Sequence, residues 1–408
     1  MTANITEDSD RLARSTTLRR RDLPRAVWLL VGARAVNRMG AFTLSFLGVI
    51  LVQELGASVA DAGWVLTLFG LATIPSRLAG GSLADRFGRV PTTVLGLTCS
   101  GLALLWLAAS PSMAVAGAGA VALGLAFELY EPPSQALVAD LTDDASRPVA
   151  FGLLSAALAA AGAAAGLLAA AVGGLGLRWL LVADAVTCLL AALVVLLGVR
   201  DRRPLTAGKA LAEGGDFGRS PWRDRRLLAM LGGGTGFAVV YLAMVVALPL
   251  TVAARNLPPE RTGLLLTISA VTIVAGQPLL RWGLLGGDGF RAMTVGYVVL
   301  GAGLALTAVA ASLPAFAVAV VIWSLGDLLL MGHAWTIVSR LAPASSRGRY
   351  LAACGISWGV AASVAPLVAT QLLDRVGVSM TWLVLAVGAG LLACEQPALA
   401  RLCRGTAA

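Results

Sequence analysis

Six polar side chains able to do chemistry stand inside runs of sequence that are otherwise apolar. Arg34, Asn37 and Arg38 lie in one run, Glu128 and Glu131 in a second, and Asp327 in a third. Each run is long enough to cross a bilayer. An ionisable group at such depth costs at least ~2.5–3.5 kcal/mol on insertion scales, so it requires a partner, an aqueous cavity or a function. Arg34 and Arg38, four apart, share one helical face, and so do Glu128 and Glu131, three apart. Arg34 and Arg38 lie nine and thirteen residues in from Arg25, and Glu131 and Glu128 nine and twelve residues in from Asp140. On helices of opposite direction, Arg34 is then expected to meet Glu131, and Arg38 to meet Glu128. Arginine suits such pairs because its planar fork holds a carboxylate bidentately and it stays charged. Two chemistries are open: static bridges that tie helices together, or a carboxylate that changes partner or protonation state.

The second-half spans offer Asp327 no arginine except Arg281 and Arg291 near helix ends, so it is either protonated or facing water. His333, six residues on, is off its face and reads as a hydrogen-bonded helix residue. Asp184 and Glu395, towards the ends of their runs, read as interfacial. Other chemistries are poorly supplied. One histidine is too few for a metal cluster, and the five cysteines are scattered without metal spacing. No Ser/His/Asp arrangement and no phosphate-cradling loop is present, which argues against an enzyme and against ATP-driven work.

The elements that must carry these residues are legible from composition. The chain has 408 residues, 58% hydrophobic and 13% charged, against roughly 25% charged in a soluble domain. The expected fold is an all-α integral membrane protein of twelve spans: 26–53, 63–83, 90–109, 113–138, 149–172, 177–199, 227–253, 262–282, 290–311, 315–338, 350–373 and 380–399. Residues 1–25, polar and basic, read as a cytoplasmic tail, not a signal peptide. Residues 26–199 form a first six-helix bundle, 200–226 a cytoplasmic central loop, 227–400 a second bundle, and 401–408 a cytoplasmic tail. With both termini inside, 24 of the 31 Lys/Arg fall in cytoplasmic segments and only Arg178, Arg255, Arg261 and Arg375 fall outside, as the positive-inside rule requires. Lys209 is the only lysine, a codon bias that suggests a GC-rich bacterium and its inner (plasma) membrane. The high net charge of +9 is therefore spent on orientation, with no nucleic-acid partner expected.

The two halves repeat. Gly101-Leu102-Ala103-Leu104 and Ala108-Ala109-Ser110 reappear as Gly303-Leu304-Ala305-Leu306 and Ala310-Ala311-Ser312, and Ser146-Arg147 reappears as Ser346-Arg347. Internal duplication with a site between pseudo-symmetric halves is the architecture of secondary transporters.

Between the second and third spans stands Gly81-Ser82-Leu83-Ala84-Asp85-Arg86-Phe87-Gly88-Arg89. It resembles the G-x-L-A-D-R-x-G-R-K loop of the major facilitator superfamily, lacking only the final Lys, where Val90 stands. Pro132 to Leu141 followed by Arg147, and Arg347-Gly348-Arg349-Tyr350, are similar to that family's loops between helices four and five and helices ten and eleven. The resemblance, nearest to the drug-proton antiporter group, implies proton-coupled transport of a small molecule by alternating access, without a cofactor, by a monomer in the lipid bilayer. It also implies that helices one and four line a central cavity. Asp85 would face the start of the eleventh span when the transporter opens outward, where a helix dipole favours an anion, and Arg89 would pair with Asp140. Phe42, Phe46, Phe127, Tyr130, Tyr241, Trp323, Trp335 and Trp358 fall in spans that line the family's cavity, which suits a hydrophobic or amphipathic substrate. The antiporter fingerprint is incomplete: Ala120 stands where an arginine is common in helix four, and Leu167, Ala170 and Ala171 replace the proline and paired glycines of helix five, although Gly162 and Gly166 are kept. Efflux is the reading this favours; import of a small organic solute, or a non-transporting sensor or enzyme on the same fold, are the alternatives.

Overall fold

Backbone polar groups inside lipid must be satisfied within their own segment, and every described element is helical. The structure is a computed structural model that describes residues 23–41, 43–143, 146–199, 223–281, 289–341 and 347–404. Most of the expected central loop, and the residues linking spans 8 to 9 and 10 to 11, lie outside that set.

Among the described residues thirteen α-helices follow one another: α1 Arg25–Met39, α2 Thr43–Leu55, α3 Val59–Phe87, α4 Arg89–Ala108, α5 Met113–Phe127, α6 Glu131–Asp140, α7 Arg147–Gly173, α8 Arg178–Gly198, α9 Arg225–Ala254, α10 Thr262–Arg281, α11 Gly289–Val309, α12 Leu313–Leu341 and α13 Arg347–Arg404. They make the twelve expected spans with three differences. Span 1 is divided into α1 and α2 at Gly40. Span 4 is divided into α5 and α6 at residues 128–130. Spans 11 and 12 are the two arms of α13, separated at Gly377, whose φ of 78° no continuous helix allows.

Each break has a local cause. Pro132 lacks an N–H for the carbonyl four residues earlier and its ring crowds that turn, so span 4 unwinds at Glu128-Leu129-Tyr130. At Gly40, span 6 approaches so closely that a Cβ would lie 2.0 Å from Thr187 Oγ1. Only glycine permits that contact.

Span 1 packs on spans 5 and 6, span 3 on spans 4 and 6, and span 2 on span 4; in the second half, span 9 packs on span 10 and α13 packs on both α9 and α11. Trp382 in span 12 donates to Thr251 Oγ1 in span 7 at 2.9 Å, both fully buried. The halves meet through spans 2 and 11, 5 and 8, and 1 and 7. A shift of six spans turns the first of these pairings into the second, as a duplicated chain requires.

The meeting is tightest at one end. A Cβ on Gly63 would lie 1.8 Å from Thr370 Oγ1, one on Gly70 2.2 Å from the Ala362 carbonyl, and one on Gly166 or Gly263 2.3 Å from the other's carbonyl. Thr267 Oγ1 donates to the Ala163 carbonyl across the same seam at 3.1 Å. Towards the opposite end of the same helices, Gly81 and Gly152 have nothing within 4 Å of a built Cβ.

Candidate functional site

The break in span 4 organises the site. Its carbonyls and side chains are received by glycines: a Cβ on Gly80 would lie 2.4 Å from the Leu129 carbonyl and one on Gly96 2.9 Å from Tyr130 N. The freed Glu128 N–H donates to Ser76 Oγ at 3.2 Å. The unwound turn therefore sits against spans 2 and 3 and delivers Glu128, Tyr130 and Glu131 towards span 1.

Arg34 forms an ion pair with Glu131, as the matched depths predict. Its other Nη donates to Ser134 Oγ at 2.7 Å, and its guanidinium lies 5.0 Å from the Tyr130 ring centroid, within the range of a cation–π contact. Gln135 Nε2 donates to the second Glu131 oxygen at 2.8 Å. From Tyr130 the polar chain continues across span 1 into span 6: Tyr130 Oη donates to Asn37 Oδ1 at 2.9 Å, Asn37 Nδ2 lies 3.2 Å from Cys188 Sγ, and Cys188 Sγ is 3.8 Å from Asp184 Oδ1.

The expected partnership of Arg38 with Glu128 is corrected. Glu128 faces Arg77 of span 2 at 3.7 Å, because the unwound turn rotates it off the face that it would share with Glu131 on a continuous helix. The Arg38 side chain makes no hydrogen bond or ion pair with any described residue and lines a cavity of about 400 Å³ between spans 1, 3, 4, 5 and 6. Asp184 is likewise corrected. It is 4% exposed and lines that cavity, so it is not interfacial, whereas Glu395 is exposed. Its placement in the most apolar of the described spans is the sequence signal that could have singled it out.

Asp327 is 2% exposed, and neither carboxylate oxygen has a hydrogen-bond partner among the described residues. His333 Nδ1 is bonded to the Leu329 carbonyl at 2.8 Å, the helix role expected of it.

The aromatics divide. Phe127 and Tyr130 line the first-half cavity. Tyr241 and Trp358 stack edge to face at 5.5 Å, and Trp358 borders a smaller second-half cavity of about 70 Å³ together with Phe237 and Tyr297. Phe46 and Trp323 are core residues instead, Phe46 fully buried and Trp323 packed on Gly303. Phe42 and the side chain of Trp335 lie outside the described residues.

At the end bearing Gly81 to Arg89, Gly88 closes α3 and opens α4 with φ 97°, a conformation that L side chains rarely adopt. Arg89 forms an ion pair with Asp140 and donates to the Ala136 carbonyl at 2.7 Å, so it clasps the end of span 4. Arg147 reaches the same end through the Ala139 carbonyl at 3.3 Å. Beside it, Ser146 donates from Oγ and N to Asp143, holding that carboxyl below its ordinary range. Asp85 and Arg86 are exposed. Part of the segment expected to receive Asp85, residues 342–346, lies outside the described residues.

Known proteins agree with this arrangement. The Major Facilitator Superfamily matches the sequence over residues 30–366. The chain is 25% identical over 370 residues to the uncharacterized MFS-type transporter YttB of Bacillus subtilis, covering 87% of this chain and 90% of that one. It is 28% identical over 349 residues to the multidrug resistance protein MdtH of Aeromonas hydrophila, covering 79% and 81%. The nucleoside transporter NupG superposes with a TM-score of 0.79 over 92% of this chain and 100% of that one at 12% identity, a likeness of fold alone.

Proposed function

The chain belongs to the major facilitator superfamily, and from that premise we propose that it exports a hydrophobic or amphipathic small molecule in exchange for protons by alternating access. Its relatives and its fold are those of transporters, not enzymes. The observation that carries the coupling is Asp327. A buried carboxylate without a partner must have its charge neutralised, and a proton taken up from one side and released to the other does so while driving the cycle. The cargo is read from the cavity, where Leu104, Leu123, Phe127 and Leu158 stand beside the polar side chains of Arg38, Glu128, Tyr130 and Asp184, a lining that suits an amphipathic molecule. The outward direction draws on likeness to a protein named for multidrug resistance. Import of an organic solute is the reading that Leu167, Ala170 and Ala171 favour, since they depart from the antiporters' helix-five pattern.

In proteoliposomes, Asp327→Asn should abolish cargo accumulation driven by a pH gradient while cargo-for-cargo exchange continues. Gradient-driven accumulation at the wild-type rate in that variant would remove Asp327 from the coupling step. Whether cells lacking the protein gain or lose intracellular cargo decides direction.

The orientation proposed puts both termini and residues 200–226 in the cytoplasm of a bacterium, in its inner membrane, with the tight seam of Gly63, Gly166 and Gly263 on the outer side. Asp85 and the Arg89–Asp140 clasp then form the inner gate. In a cysteine-free background, Ser220→Cys should resist an impermeant thiol reagent applied to intact cells and Ala57→Cys should react. The opposite pattern would invert the topology.

A further inference from the structure

The first-half cavity holds an asymmetry of charge that points to what occupies it. Of its acids, Glu131 is held by Arg34 and Gln135, Asp184 accepts from Cys188, and Glu128 faces Arg77 at 3.7 Å with its Oε2 making no hydrogen bond to the described residues. Arg34 is held by Glu131, Ser134 and the Tyr130 ring. Arg38, one turn further along the same face, has none of these partners. A guanidinium cannot shed its charge by losing a proton, and Arg38 is exposed to the cavity, so its fork is open to an anionic group of a ligand there. The apolar part of the same cavity wall is formed by Leu104, Leu123, Phe127 and Leu158, and a Cβ on Gly162 would come within 3.9 Å of Arg38 Nε, so span 5 passes beside the arginine.

We infer that this cavity binds an organic acid, its carboxylate held by the Arg38 fork and its apolar or aromatic body lying against Leu104, Leu123, Phe127 and Leu158. The fork suits a carboxylate because two parallel N–H donors meet its two oxygens. The volume of about 400 Å³ is in the range of sites for compact organic ligands. The inference deepens the transport reading and rests on it only for what happens to the acid once bound.

The test uses the full-length protein in lipid nanodiscs and three probes of one skeleton: 2-naphthoate, 2-naphthamide and 2-naphthylmethylammonium. Titration calorimetry should show naphthoate binding roughly tenfold or more tighter than the amide, the scale of a hydrogen bond to a charged group, and the amine binding weakest. Arg38→Gln should erase the preference for the acid and Arg38→Lys should retain part of it. Leu158→Trp, which fills the cavity without changing charge, should abolish naphthoate binding; if Arg38→Gln does not survive purification, this variant decides. Equal binding of acid and amide, tightest binding of the amine, or naphthoate binding undiminished in Leu158→Trp would each overturn the inference. Naphthoate bound but not moved across proteoliposomes would leave the site standing and remove the transport reading. Transport of neutral or cationic cargo without any preference for the acid would remove the site alone.

Discussion

Arg34→Gln and Glu131→Gln should each cost the folded protein about 3–5 kcal/mol, because each leaves one buried charge without its counter-charge. The double variant should cost less than the sum, since removing both charges leaves neither orphaned. Reversible unfolding in mixed micelles, followed by circular dichroism, measures the cycle. A shortfall from additivity of about 0.5–3 kcal/mol is the range for residues in contact. Additive losses would mean that the Arg34–Glu131 bridge in span 1 and span 4 does not form. The companion cycle, Arg38→Gln with Glu128→Gln, should be additive, because Glu128 faces Arg77 at 3.7 Å and Arg38 faces the cavity.

The second large effect concerns the seam between the halves. Gly166→Val places a branched side chain where a single Cβ would already lie 2.3 Å from the Gly263 carbonyl and 2.2 Å from Thr267 Oγ1. Contacts under 3 Å with backbone cannot be relieved by a rotamer change, so the helices must part. Each half keeps its own packing, and the protein should fold and reach the membrane in normal amount. The proposed cycle requires this end to close and reopen, so transport in proteoliposomes should fall by an order of magnitude or more. Gly232→Ala, with nothing within 4 Å of the added carbon, serves as the tolerated control and brings a helix-propensity gain of about 1 kcal/mol at most. Normal flux through Gly166→Val would mean that closure at this seam is not part of the working cycle.

How much of this was legible in the sequence depends on whether backbone regularity held. Arg34 and Glu131 could be paired by counting residues from the surface because α1 is regular up to Arg34 and α6 is regular from Glu131 onwards. The same count failed for Arg38 and Glu128 because Glu128 lies on the other side of a break. The Pro132-Pro133 dipeptide announces such a break, but not the direction in which the preceding turn rotates; that is set by where Gly80 and Gly96 let the chain settle. The Arg89–Asp140 pair was implied by a family loop and is present. Asp184 was misjudged because its distance from Arg178 along the chain suggests the interface, while its burial comes from span 1 approaching at Gly40, a tertiary fact. Phe46 and Trp323 were assigned to the right helices, but the face that each presents is decided by packing between helices, which composition does not encode.

The elbow at Gly88 has a mechanical consequence. A single residue ends α3 and begins α4, so spans 2 and 3 are joined without slack, and the elbow is further braced where Arg89 grips Asp140 and the Ala136 carbonyl. A tilt of one arm is delivered to the other rather than absorbed in a loop. Span 3 carries Ser100 and Leu104 into the cavity wall, Ser100 being about 16 Å along the helix from Arg89 at 1.5 Å per residue. The exposed charges of Asp85 and Arg86 and the lining of the cavity are thus two ends of one bent lever, and a load applied to either end is felt as torque at the other.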